Sequence, residues 1–136
     1  MTLAWLTIFG IVLTGLAAAT SLGMLLFPER WSRFEIWAYG GARRPWPVWA
    51  LAGGLLAVWG LAAVDFALRQ DTGRTWAGWA LVVGVPALWA VKSVALVFNP
   101  AGRAVVSGIS DPCSWRKIGL ARLPIALGLA ALVWFA

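Results

Sequence analysis

Two basic side chains sit inside runs that are otherwise uncharged: Lys92 within Thr75–Gly102 and Arg122 within Ile118–Ala136. An ionisable group in an apolar span is costly to place in hydrocarbon, so each is a candidate for holding an anion or a partner's carboxylate. Lys92 lies six residues before Phe98, about 9 Å along a helix. Its stem is long enough to carry the ammonium from there to the headgroup layer. With Arg116 and Lys117, Lys92 and Arg122 make a basic set able to bind an anionic lipid headgroup or another anionic ligand between helices. The same four charges also fit four independent topological signals on one side of a membrane.

Other chemistry is scarce. There is no histidine, which removes the commonest general base and the usual ligand of haem, copper and zinc. Asp111-Pro112-Cys113-Ser114 places one thiol beside a carboxylate, but nothing is available to activate it. A lone cysteine forms neither an internal disulfide nor a multi-thiolate metal site. No metal site and no cofactor are expected, and the chain reads as a non-enzyme. Asp65 and Arg69 stand at i, i+4 and form a local pair, as do Glu29 and Arg33.

The elements that must carry these residues are long and apolar. Met1–Pro28 and Pro45–Val64 contain no charged side chain. About 20 apolar residues cross a bilayer core. Runs such as Leu55-Leu56-Ala57-Val58-Trp59 do not alternate, which excludes barrel strands and leaves helices. The sequence therefore predicts an all-α integral membrane protein, a single four-helix domain over residues 1–136. Its spans are expected near 3–27, 46–69, 76–98 and 118–136. Helix 1 lacks the basic start of a cleavable signal and is expected to be retained. Pro86 should kink helix 3.

Connection 2, Gln70–Thr75, is short, so the spans read as two antiparallel hairpins. Ser21–Pro28 and Ser93–Pro100 each run eight residues from serine to proline, an offset of 72 that also sets Arg44 on Arg116. That is the pattern of a parallel 2+2 repeat, although two apolar helices ending in proline resemble each other by chance. The stretch Pro28–Tyr39 reads as a short interfacial helix after helix 1. Its anchors are Trp31, Phe34 and Trp37, followed by Arg43, Arg44 and Trp46.

Gly15, Ala19 and Gly23 are spaced by four, and Gly53 and Gly54 open similar small stripes on helix 2. Small residues let helix backbones approach closely in lipid, so these are the expected helix-packing positions.

The net charge of +6 belongs to span-flanking residues rather than to a nucleic-acid surface. Connections 1 and 3, with Arg122, hold eight basic residues, and connection 2 holds two. By the positive-inside rule connections 1 and 3 are cytoplasmic and both termini are outside. The nine arginines against two lysines point to a bacterial inner membrane. The expected role is a non-catalytic accessory or scaffold subunit of a larger membrane assembly, with membrane lipids and other subunits or itself as partners. The alternative is a small homo-oligomeric transporter or lipid-handling protein with a basic cytoplasmic-leaflet pocket at Lys92 and Arg122.

The topology is checked by labelling intact cells with a membrane-impermeant maleimide. Thr72→Cys is expected to react and native Cys113 to stay protected; the reverse pattern overturns the assignment.

Overall fold

The computed structural model describes residues 4–39, 44–107 and 112–136. They are helical throughout, with no strand among them. Four helices are long and apolar enough to cross a membrane, which makes the chain a multi-pass membrane protein. Helix α1 covers Trp5–Leu26, α2 Pro28–Tyr39 and α3 Trp46–Leu68. Helix α4 is a continuous run from Trp76 to Phe98, α5 covers Pro100–Ser107 and α6 Pro112–Phe135. Two differences from the sequence reading stand out. The last span begins six residues before its expected start at 118, and the second long connection contains a helix of its own, α5. Both α2 and α5 begin at the prolines related by the offset of 72.

Local sequence explains most helix boundaries. Pro28, Pro47, Pro100 and Pro112 lie in first turns, where the missing N–H costs nothing. Thr75 caps α4: its hydroxyl oxygen accepts from the Gly78 N–H at 3.1 Å. Asn99 does the same for α5, accepting from the Ala101 N–H at 3.0 Å. Both replace a bond that no helical partner can supply. Arg44 closes α2, donating from Nη1 to the Ala38 carbonyl at 3.1 Å. Arg30 lies 5.8 Å from the centroid of the Phe27 ring. The expected Glu29–Arg33 pair does not form among the described residues: both side chains are exposed to solvent, where a helix-surface ion pair is worth little.

The start of α1 has no side-chain cap of its own, because Ala4 precedes it. Asp65 supplies the cap from α3, its Oδ2 accepting from the Leu6 N–H at 3.0 Å. A carboxylate here meets both an orphan donor and the positive end of the helix dipole. Arg69 approaches the same Oδ2 at 3.4 Å and donates to the Ala136 carbonyl at 3.5 Å. One carboxylate and one guanidinium therefore join the start of α1, the end of α3 and the end of α6.

The core lies next to this junction. Leu6 and Phe9 of α1, Ala62 and Phe66 of α3, Leu81 and Val82 of α4, and Leu129 of α6 form its buried cluster. Proline chemistry ties α4 in. Pro86 has no N–H to give the Val82 carbonyl, and the Trp59 indole donates to that oxygen at 2.8 Å instead. The backbone just before Pro86 widens into a π-type turn over Ala80–Gly84.

Helix α1 packs most extensively on α6 and next on α3, whereas α4 meets the other spans chiefly through Trp76–Gly84. Close approach falls on glycines that the spacing argument did not select. A Cβ on Gly119 would lie 2.8 Å from the Ser21 carbonyl and from Met24 Cβ. Gly10 faces Val133, Gly78 faces the Phe66 ring, and Gly102 lies against the Ala95 carbonyl. Gly15, Gly53 and Gly54 instead face open space, and Ala19 is exposed. Gly23 takes the Trp31 ring of α2, not another span.

Gly119→Ala is expected to cost about 1–3 kcal/mol through overpacking on a helix backbone, read as a lower melting temperature in detergent. Gly53→Ala, with no neighbour to meet, is expected to leave stability unchanged or raise it by up to about 1 kcal/mol. Equal effects of the two changes would contradict the packing described.

Candidate functional site

The end of the bundle away from Asp65 is built differently. Phe27 breaks α1 with a backbone of φ −131° and ψ 59°, and Pro28 starts α2 in a new direction. Gly23 makes room for the turn: a Cβ there would lie 3.0 Å from Trp31. Trp31 is thereby seated beside α1 and starts an aromatic ladder along α2. Its ring lies 5.2 Å from Phe34, which lies 5.9 Å from Trp37. Phe34 and Trp37 are exposed, as is Trp46 at the start of α3. Arg43, the remaining expected anchor, lies outside the described residues.

Glu35 follows Trp31 by one turn of α2. It is half-buried and shares its surroundings with Arg122 of α6 and Lys92 of α4. Helix α2 packs on α6, and the charges of Arg122 and Lys92 both act on the Glu35 carboxyl. Arg122 is placed by the glycine one turn before it, since Gly119 allows α6 to lie against Ser21 and Met24 of α1. Lys92 is placed by α4, whose residues 87–92 are exposed. The direct ion pairs among the described residues are Asp65–Arg69 and Asp71–Arg74, both elsewhere.

Burial pushes the Glu35 carboxyl above its ordinary value of 4.5; Arg122, the Trp31 side chain and Lys92 each pull it back in part. The pull of Trp31 is short of a full hydrogen bond, because its buried Nε1–H meets no acceptor in proper geometry. The Ser21 hydroxyl, also buried, has no partner either.

Of the four basic residues singled out by sequence, Lys92 and Arg122 are the two whose charges act on the Glu35 carboxyl. Arg116 and Lys117 are exposed and are not among the charges acting on Glu35 or Lys92. Glu35 was missed: in the sequence it looks like one more charge on an amphipathic segment. Asp65 was placed correctly beside Arg69, but its cap on α1 connects residues 59 apart and leaves no local signature. Among the described residues no group of acidic or cysteine side chains is arranged to hold a metal ion.

The cluster combines one carboxylate with the charges of Arg122 and Lys92. It can hold an anion, or hold α2 against α4 and α6. Comparison with protein-family models, curated proteins and solved structures finds no match to this chain.

The raised carboxyl gives a pH dependence of definite sign. Above pH 4.5 the unfolded chain releases the Glu35 proton while the folded chain keeps it up to its own higher value. Folding is then proton-binding, so stability from this group is greatest in acid and falls as pH rises through that window. Thermal unfolding in detergent from about pH 4 to about pH 8 is expected to show this decline, and Glu35→Gln is expected to flatten it. A decline of the same size in Glu35→Gln would assign it to another group.

Proposed function

We propose that the chain is a non-catalytic accessory or scaffold subunit of a larger membrane assembly, contributing helix–helix and lipid contacts. The observation that carries this reading is the outward position of four small residues, Gly15, Ala19, Gly53 and Gly54. Gly15 on α1 and Gly53 and Gly54 on α3 have nothing within 4 Å of a Cβ position, and Ala19, one turn after Gly15, is exposed. Lipid tails gain nothing special from glycine, whereas another helix gains close approach. In this reading the spans form two antiparallel hairpins related as a parallel 2+2 repeat, and α2 lies in the interface with its aromatic ladder among the headgroups. The protein sits in a bacterial inner membrane with both termini outside and connections 1 and 3 in the cytoplasm.

A second reading is favoured by the convergence of Glu35, Lys92 and Arg122: a small homo-oligomeric transporter or lipid-handling protein whose basic pocket lies in the cytoplasmic leaflet.

Purification in mild detergent separates the two. A fixed set of other polypeptides supports the first reading, and a homo-oligomer carrying anionic lipid supports the second. Ala19→Leu and Gly54→Leu are expected to release the protein from its assembly, seen by native mass spectrometry, without lowering the melting temperature of the isolated chain. Intact assembly in both variants would mean that these faces meet lipid.

A further inference from the structure

Two prolines interrupt spans, and each leaves a carbonyl without its helical partner. Pro86 does so to Val82, and the Trp59 indole of α3 donates to that oxygen at 2.8 Å. Pro124 lies inside α6 and does the same to the carbonyl of Leu120. No side chain among the described residues donates to that second oxygen. Within a span, where lipid supplies no donor, such a carbonyl is costly to leave unmet.

The face that carries it is open. Along α6, Trp115, Gly119, Ala126 and Leu129 are buried. Leu120, Pro124, Leu127 and Ala131 follow the i, i+4, i+7, i+11 spacing of a single helix face on the opposite side, and all four are exposed. Gly128 flanks them with nothing within 4 Å of a Cβ position. Arg122, two residues from Leu120, does not share this face. A further helix can therefore approach closely here.

The chain also holds an unused donor. Trp89 is 47% exposed, within the stretch 87–92 that is exposed on every side of α4. Its indole N–H meets no acceptor among the described residues. Donor and acceptor agree in depth. Trp89 lies seven residues before the end of its span at Leu96, and Leu120 seven residues after the start of its span at Cys113, about 10 Å along the helix in each case. Helices α4 and α6 share a flank of the bundle, since they touch along Trp76–Gly84. A two-fold axis along the membrane normal keeps every atom at its own depth, so such a pair can form twice in a symmetric dimer.

We propose that the partner at this face is a second copy of the chain. In the dimer, α4 of each copy lies on the open face of the other's α6, and the Trp89 indole donates to the Leu120 carbonyl that Pro124 leaves free. This rests on the homo-oligomer of the second reading above and adds its interface. It repeats between chains what Trp59 does for Val82 within one. The exposed cations nearest the contact, Lys92, Arg116 and Lys117, all lie toward the headgroup layer, where water and salt screen them.

Sedimentation equilibrium in density-matched micelles tests the pairing. The intact chain is expected to show a monomer–dimer equilibrium. Trp89→Phe keeps a ring and removes the N–H. It is expected to lower the association constant about threefold for each of the two bonds, or about tenfold in all. Pro124→Ala gives the Leu120 carbonyl an N–H of its own. It is expected to weaken the dimer to the same extent and to raise the melting temperature of the dilute, monomeric chain. Adding Trp89→Phe to Pro124→Ala is then expected to cause no further loss. Gly128→Leu, which fills the open space, is expected to abolish the dimer and serves where Pro124→Ala alters the fold. A chain that stays monomeric at every concentration overturns both the proposal and the homo-oligomer beneath it. A dimer unchanged in Trp89→Phe and Gly128→Leu overturns the proposal alone and places the interface on another face. A loss in Trp89→Phe that recurs in full in the Pro124→Ala background overturns the pairing of the indole with Leu120.

Discussion

A bilayer offers no water to a peptide group, so every backbone N–H and C=O within a span needs a partner from the protein. This constraint organises the molecule wherever a helix starts, stops or is interrupted. Asp65 caps α1 from α3 because Ala4 cannot. Trp59 donates to the carbonyl that Pro86 leaves without its helical partner. Thr75 and Asn99 cap the helices that follow them, and Arg44 closes α2. The first two of these cross from one span to another. They therefore fix the relative depth of the spans, a property that apolar packing alone specifies poorly.

That depth register explains the distribution of packing. With α1 tied to α3 through Asp65, and α6 tied to α3 through Arg69 and Ala136, the Asp65 end closes into the one cluster to which all four spans contribute. Beyond Val85, α4 adds no described residue to that cluster; its residues 87–92 are exposed and its last turns pack on α5. The offset of 72 in the sequence has a local counterpart, since α2 and α5 start at equivalent prolines. The packing of the halves is nevertheless unequal: α1 is central, and α4 is peripheral beyond Gly84.

The existence and approximate extent of the spans were legible because hydrocarbon thickness sets a length that composition must meet. The rotation of each span was not. A soluble helix marks its buried face with an apolar stripe, but these spans are apolar all round, so hydropathy carries no information about facing. Glycine spacing did not substitute for it. The stripe Gly15–Ala19–Gly23 satisfies the i, i+4 rule yet lies mostly outward, while Gly10, Gly78 and Gly119 make the close contacts, and Gly78 and Gly119 belong to no such stripe within their own helices. What decides a contact is the partner opposite: Val133, the Phe66 ring, or the backbone at Ser21. That information is held in a different segment of the chain.

The same reasoning applies to charge. Lys92 and Arg122 announced themselves because each interrupts an apolar run. Glu35 did not, because it lies among charges in a segment where a carboxylate is unremarked, and its importance comes from the folding back of α2 at Phe27 and Pro28. Once there, its effect follows from Coulomb's law in a medium of low dielectric, where like charges brought close repel far more than in water. The Glu35 carboxylate offsets part of the positive charge that Arg122 and Lys92 bring to it.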